Sequence, residues 1–113
     1  MIAHAANKAA SELGLALEIQ PGEVISYSNY VGEGYAAPTP AGLDAIRLVA
    51  STEGILLDPV YSGKAMAALI DHIQKGLVKS DETVIFLHTG GYPALFAYQH
   101  YFDFQNQITR GGL

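Results

Sequence analysis

Glu53-Gly54-Ile55-Leu56-Leu57-Asp58-Pro59-Val60-Tyr61-Ser62-Gly63-Lys64-Ala65-Met66 is the stretch that decides the fold class of this 113-residue chain. Gly54 closes a helix, Ile55-Leu56-Leu57 reads as a short buried strand, and Asp58-Pro59 turns the chain. A second helix begins near Gly63, with Met66, Leu69, Ile70 and Ile73 at helical spacing before Gly76 stops it. Upstream, Thr39-Pro40 is an N-cap followed by proline at the first helical position. Leu43, Ile46, Val49 and Ala50 form the inner face of that helix, with Asp44, Arg47 and Glu53 outward. Downstream, Thr83–Leu87 is a continuous apolar, β-rich run, as expected of a parallel strand covered on both faces.

Further out, residues 2–13 read as a helix with a narrow polar stripe of His4, Lys8 and Glu12, closed by Gly14. Leu15–Ile19 and Val24–Tyr27 are strand candidates flanking the Pro21-Gly22 turn, and Pro93 opens a short helix through about Tyr98. The tail from about residue 101 carries no apolar period. Helix and strand alternate, so the class is α/β, with parallel strands flanked by helices in one incomplete domain over residues 1–113.

Half of the residues are apolar and only 15 % are charged, where soluble domains average about 25 %. A small domain has proportionally more surface, so so little charge points to a piece of a larger fold or an oligomer subunit. The net charge of −5, without a Lys/Arg cluster, argues against a nucleic-acid surface. No apolar run reaches the ~20 residues of a membrane span, and residues 1–8 lack the pattern of a secretory signal. With no cysteine and four scattered histidines (His4, His72, His88, His100) there is no metal-ligand spacing. The sequence reads as soluble and cytoplasmic.

Two segments follow strands where α/β sheets place their ligands: Pro59–Lys64 and His88-Thr89-Gly90-Gly91. Taken alone, each has a plain structural reading. Ser62 is an N-cap, Thr89-Gly90-Gly91 a turn, and Asp58-Pro59 a structural turn. Tyr61 and Tyr35 are half-buried packing aromatics, Lys64 is a solvated helix residue, and His88 is hydrogen-bonded inside the sheet. Phosphate-loop, dinucleotide and nucleophile-elbow motifs are absent.

The joint pattern is more specific. Gly32-Glu33-Gly34-Tyr35, Pro40-x-Gly42-Leu43-x-Ala45-Ile46-Arg47, the quoted 53–66 stretch and His88-Thr89-Gly90-Gly91-x-Pro93-Ala94-Leu95-Phe96-Ala97-Tyr98 together resemble one family. They resemble the C-terminal third of the pyridoxal-phosphate enzymes that comprise D-cysteine desulfhydrase and 1-aminocyclopropane-1-carboxylate deaminase. The resemblance runs from about residue 1 to about residue 100. It implies the tryptophan-synthase-β type of fold (fold type II), with this chain at the end of the larger domain. It implies a pyridoxal 5'-phosphate cofactor, a small amino-acid substrate and a homodimer. It also implies that the Schiff-base lysine and the phosphate-cradling segment lie outside this chain, since Lys8, Lys64, Lys75 and Lys79 do not match that lysine's motif.

Carried over by motif, Ser62 resembles the residue facing the pyridine nitrogen, and Thr89 the residue near the same ring edge. Tyr61 resembles the active-site tyrosine beside the substrate, and Tyr35 the second tyrosine of that pocket. The deaminases typically carry glutamate and leucine where this chain has Ser62 and Thr89, and the desulfhydrase-like members carry hydroxyl residues. A hydroxyl leaves the cofactor ring a weaker electron sink than a carboxylate does. That favours α,β-elimination from D-cysteine over opening of the cyclopropane ring. The alternatives are the deaminase activity and, in a different class, a non-catalytic fragment or interaction module.

Overall fold

A computed structural model describes residues 1–102. Three α-helices carry the architecture: α1 (Ile2–Glu12), α2 (Pro40–Glu53) and α3 (Ser62–Gln74). Short 3₁₀ turns lie at Pro21–Glu23, Tyr92–Phe96 and Gln99–Tyr101. The irregular tail expected from about residue 101 lies, beyond Phe102, outside the described residues.

The helix ends fall where local chemistry puts them. The Thr39 side chain accepts the Gly42 amide at 3.1 Å, with Pro40 in the first turn. Gly14, Gly54 and Gly76 follow the three helices with φ of 67°, 68° and 69°, a left-handed conformation that costs glycine least. The expected helix at Pro93 is instead a 3₁₀ turn over Tyr92–Phe96.

α2 and α3 pack tightly because glycines meet at their contact. A Cβ on Gly63 would stand 2.6 Å from the Asp58 carbonyl oxygen and 2.8 Å from Ile46 Cδ1, and one on Gly42 would stand 3.7 Å from Lys64 Cγ. Ile46, Val49 and Leu57 form the core, and Met66, Phe86, Leu95 and Phe102 pack around it. The buried positions of α2 are Gly42, Ala45, Ile46 and Val49, so Leu43 and Ala50 are only half-buried flanks of that face.

The four expected strands need correction. Among the described residues none lies in a hydrogen-bonded strand. Leu15–Ile19, Val24–Tyr27, Ile55–Leu57 and Thr83–Leu87 have no ladder partner. A strand exists only when a neighbour takes up its amides and carbonyls, and among the described residues no neighbour does so. The apolar side chains accordingly stay open: Ile85 is 89 % exposed and Leu87 79 %, while Leu57 is fully buried. One end of the Leu15–Ile19 segment is held by a side chain. Asn7 on α1 donates to Ile19 O at 2.9 Å and accepts from Ile19 N at 2.7 Å.

Candidate active site

The start of α3 is organised by Asp58, which is buried. Its Oδ2 accepts the amides of Val60 and Tyr61 at 2.7 and 2.8 Å, and its Oδ1 accepts the Ser62 amide at 2.8 Å and the Ser62 hydroxyl at 2.6 Å. Its backbone carbonyl accepts the Gly63 amide at 2.8 Å. The first amides of a helix have no partner within it, and a carboxylate there is also favoured by the helix dipole. Burial opposes the charge on Asp58. The Ser62 hydroxyl and the amides of Ser62, Tyr61 and Val60 outweigh burial and hold the carboxyl below its ordinary range.

Ser62 is buried too, and its hydroxyl is committed on both sides. It donates to Asp58 Oδ1 and accepts the Asp58 amide at 2.8 Å.

Tyr61, one residue earlier, is exposed. Its hydroxyl donates to that of Tyr35 at 2.9 Å, with the ring centroids 5.9 Å apart in an edge-on arrangement. Losing that hydrogen bond disfavours the phenolate, which pushes the Tyr61 hydroxyl up from its usual value. Tyr35 accepts this bond and keeps its own hydrogen for another partner. The two tyrosines border a cavity of about 610 Å³ whose other walls include Tyr27, Tyr30, Lys64 and Ala68.

The loop bearing Tyr35 is tied down at three points. Tyr30 donates to Asp71 on α3 at 2.5 Å. Lys64 donates to Val31 O at 2.6 Å and to Gly34 O at 3.1 Å, and Tyr98 donates to Ala36 O at 2.8 Å. Asp71 also takes the Lys75 ammonium at 2.6 Å. That ammonium first, and the Tyr30 hydroxyl second, hold the Asp71 carboxyl low. His72 stands edge-on to Tyr27 at 4.5 Å behind the same wall.

Thr89 is exposed on the turn after Thr83–Leu87. Its neighbour His88 lies against Leu56 O through Nε2 at 2.9 Å, while His88 Nδ1 accepts the Gly90 amide at 3.0 Å. A shallow hollow of about 430 Å³ lies between Leu56, His88, Gly90 and Tyr92. Gly91 has φ +89°, and a Cβ there would stand 2.9 Å from Asp58 Cγ. The turn bearing Thr89 thus abuts the carboxylate that holds Ser62.

Of the four residues singled out in the sequence, Tyr35 and Tyr61 meet directly. Ser62 is the first residue of α3, directly after Tyr61, and Thr89 approaches that helix start through Gly91 and Asp58. Two participants were misjudged. Lys64 is buried rather than solvated, because carbonyls some thirty residues earlier in the chain receive it. Asp58, read as a plain turn residue, takes up the amides at the helix start from three residues before the N-cap Tyr61, a place the ordinary capping pattern does not mark. Tyr27 and Tyr30 had no signal beyond being aromatic.

Residues 2–90 match the family described as pyridoxal-phosphate dependent enzyme. D-cysteine desulfhydrases from Salmonella newport (strain SL254) and Salmonella heidelberg (strain SL476) are each 54 % identical over 72 residues, covering 64 % of this chain and 22 % of theirs. The chain thus spans about a fifth of the length of these relatives. A crystal structure of an ACC deaminase homologue superposes with a TM-score of 0.65 at 39 % identity, covering 83 % of this chain and 27 % of that one.

Proposed function

Because this chain belongs to the pyridoxal-phosphate-dependent enzymes, we propose that it contributes part of the active site of a lyase acting on D-cysteine. The reaction is α,β-elimination followed by hydrolysis: D-cysteine and water give pyruvate, sulfide and ammonia. The observation that carries this reading is the pair of hydroxyls on Tyr61 and Tyr35, 2.9 Å apart at the edge of a 610 Å³ cavity. The 54 % identity to D-cysteine desulfhydrases supports the choice of substrate.

The side chains present suit the ring side of a pyridoxal phosphate. Aromatic walls and hydroxyls are at hand, and Ser62 stands one residue from Tyr61. The amine on the cavity wall, Lys64, is taken up by two carbonyls. We therefore assign the covalent anchor and the phosphate seat to the rest of the family fold. Bound there, the cofactor supplies a sink for the electrons released at the substrate's α-carbon.

Ser62 would meet the ring nitrogen with a hydroxyl and would bring no charge to it. Donating to that nitrogen requires its hydrogen to turn away from Asp58 Oδ1, which retains the Ser62 amide. Tyr35 offers its hydrogen at the departing sulfur, and Tyr61 backs it by donating to the same oxygen. Thr89 would border the ring edge. Under this reading residues 1–113 form the incomplete end of a fold-type-II α/β domain in a cytoplasmic homodimer, and the extended segments gain their parallel-sheet partners from the remainder.

The likeness to an ACC deaminase homologue supports a second reading, cyclopropane-ring opening. One experiment separates the two. The matching segment of the Salmonella newport desulfhydrase is exchanged for this chain, and the hybrid is supplied with each substrate. Sulfide from D-cysteine with little ammonia from 1-aminocyclopropane-1-carboxylate is expected. The opposite ratio moves the chain to the deaminase branch, and a hybrid that binds cofactor yet acts on neither leaves it a non-catalytic module.

A further inference from the structure

Lys64 is buried at the start of α3, and its ammonium has partners only on the loop that carries Tyr35. Val31 O and Gly34 O bracket Gly32-Glu33 and converge on Nζ at 2.6 and 3.1 Å. The loop reaches this shape through left-handed positions, with φ of 71° at Gly32 and 61° at Ala36. A backbone that turns two carbonyls toward one point needs a cation or donor there, because the two dipoles otherwise repel. Tyr35 follows Gly34 directly, so the Gly34 peptide held by Lys64 is the one that aims its side chain. Tyr61 stands three residues before Lys64, at the same helix start. One side chain thus fixes the Tyr35 loop to the turn that presents Tyr61.

We propose that Lys64 is a positioning residue that holds the Val31–Tyr35 loop so that the Tyr35 hydroxyl meets that of Tyr61. Its consequence for turnover rests on the proposed lyase reading; its consequence for the loop does not. The ammonium carries no proton to substrate. It sets the distance between two phenols, and misplacement by about 1 Å costs on the order of 10²-fold in rate.

The test uses the cofactor-loaded hybrid with Lys64→Met, which keeps the length of the stem and removes the donors. The first readout is cleavage after Glu33 by a glutamate-specific protease, followed by mass spectrometry. Glu33 is exposed between the two acceptor carbonyls, so release of the loop should speed this cut about tenfold or more, with cleavage after Glu53 unchanged as the control. The second readout is a double-mutant cycle with Tyr35→Phe. A residue acting through Tyr35 costs little once that hydroxyl is gone, so Lys64→Met should lower kcat in the parent by about 10-fold or more and by less than about 2-fold in Tyr35→Phe. If Lys64→Met does not accumulate, Lys64→Gln, which retains a donor, takes its place with an intermediate effect expected on both readouts. Unchanged cleavage after Glu33, or equal costs in the two backgrounds, overturns the proposal. A hybrid inactive on D-cysteine overturns the lyase reading instead, and cleavage after Glu33 still decides the role of Lys64.

Discussion

Replacing Asp58 by alanine removes the acceptor for four donors at once. The Ser62 amide is buried and left without a partner, which costs about 1–3 kcal/mol. The Val60 and Tyr61 amides are only partly buried and recover water, so their loss resembles that of a helix cap, about 0.5–2 kcal/mol. The Ser62 hydroxyl can turn elsewhere. The sum is about 3 kcal/mol of local stability at the start of α3. In hydrogen-exchange mass spectrometry of the hybrid, amides in the Val60–Met66 peptide should lose about two powers of ten of protection, while peptides from α1 change little. The sign with pH is fixed as well. A carboxyl held below its ordinary range contributes stability that is present above the unfolded value of about 3.9 and is lost as pH falls through the folded value. Asp58→Asn should therefore flatten the loss of protection below about pH 4, because no carboxylate is left there to protonate. Protection of Val60–Met66 unchanged by Asp58→Ala would refute the capping role and, with it, the account of how Ser62 is held.

Gly63→Ala should destabilise the hybrid by about 1–3 kcal/mol through overpacking against Ile46 and the Asp58 carbonyl, read as a lower urea midpoint. Tyr61→Phe takes away the hydrogen bond donated to Tyr35 and should lower kcat for sulfide release by about 10-fold or more with KM little altered; an unchanged kcat removes the tyrosine pair from the chemistry. The isolated chain, with Ile85, Leu87 and Phe96 each about four-fifths exposed or more, should bind a hydrophobic dye and melt without a sharp transition. A cooperative melt without dye binding would show that the apolar segments need no covering partner.

What was legible in the sequence was what neighbours in sequence decide. Thr39-Pro40 and Gly54 bound α2 because a cap and a left-handed glycine act within one turn, and the same holds for Gly14 and Gly76. Thr83–Leu87 failed as an observed strand for the opposite reason. Its composition tells that both faces want covering, but pairing is a property of two segments, and no second one pairs with it among the described residues. Lys64 shows the same limit at the scale of one side chain. Nothing within a helical turn of it reveals that Val31 and Gly34 turn their carbonyls inward. Tyr35 and Tyr61 were legible only through the family's joint motif, since 26 residues separate them and no period links them.

His88 stands in for a peptide unit. With Nδ1 accepting the Gly90 amide, the ring hydrogen sits on Nε2 and points at Leu56 O. The imidazole then presents one acceptor and one donor, just as a peptide unit does, and stands beside Ile55–Leu57 where a neighbouring strand would offer a rung. Turning the ring away would cost the Gly90 amide and Leu56 O their partner at once. The orientation of this imidazole and the shape of the turn that carries Thr89 are therefore fixed together.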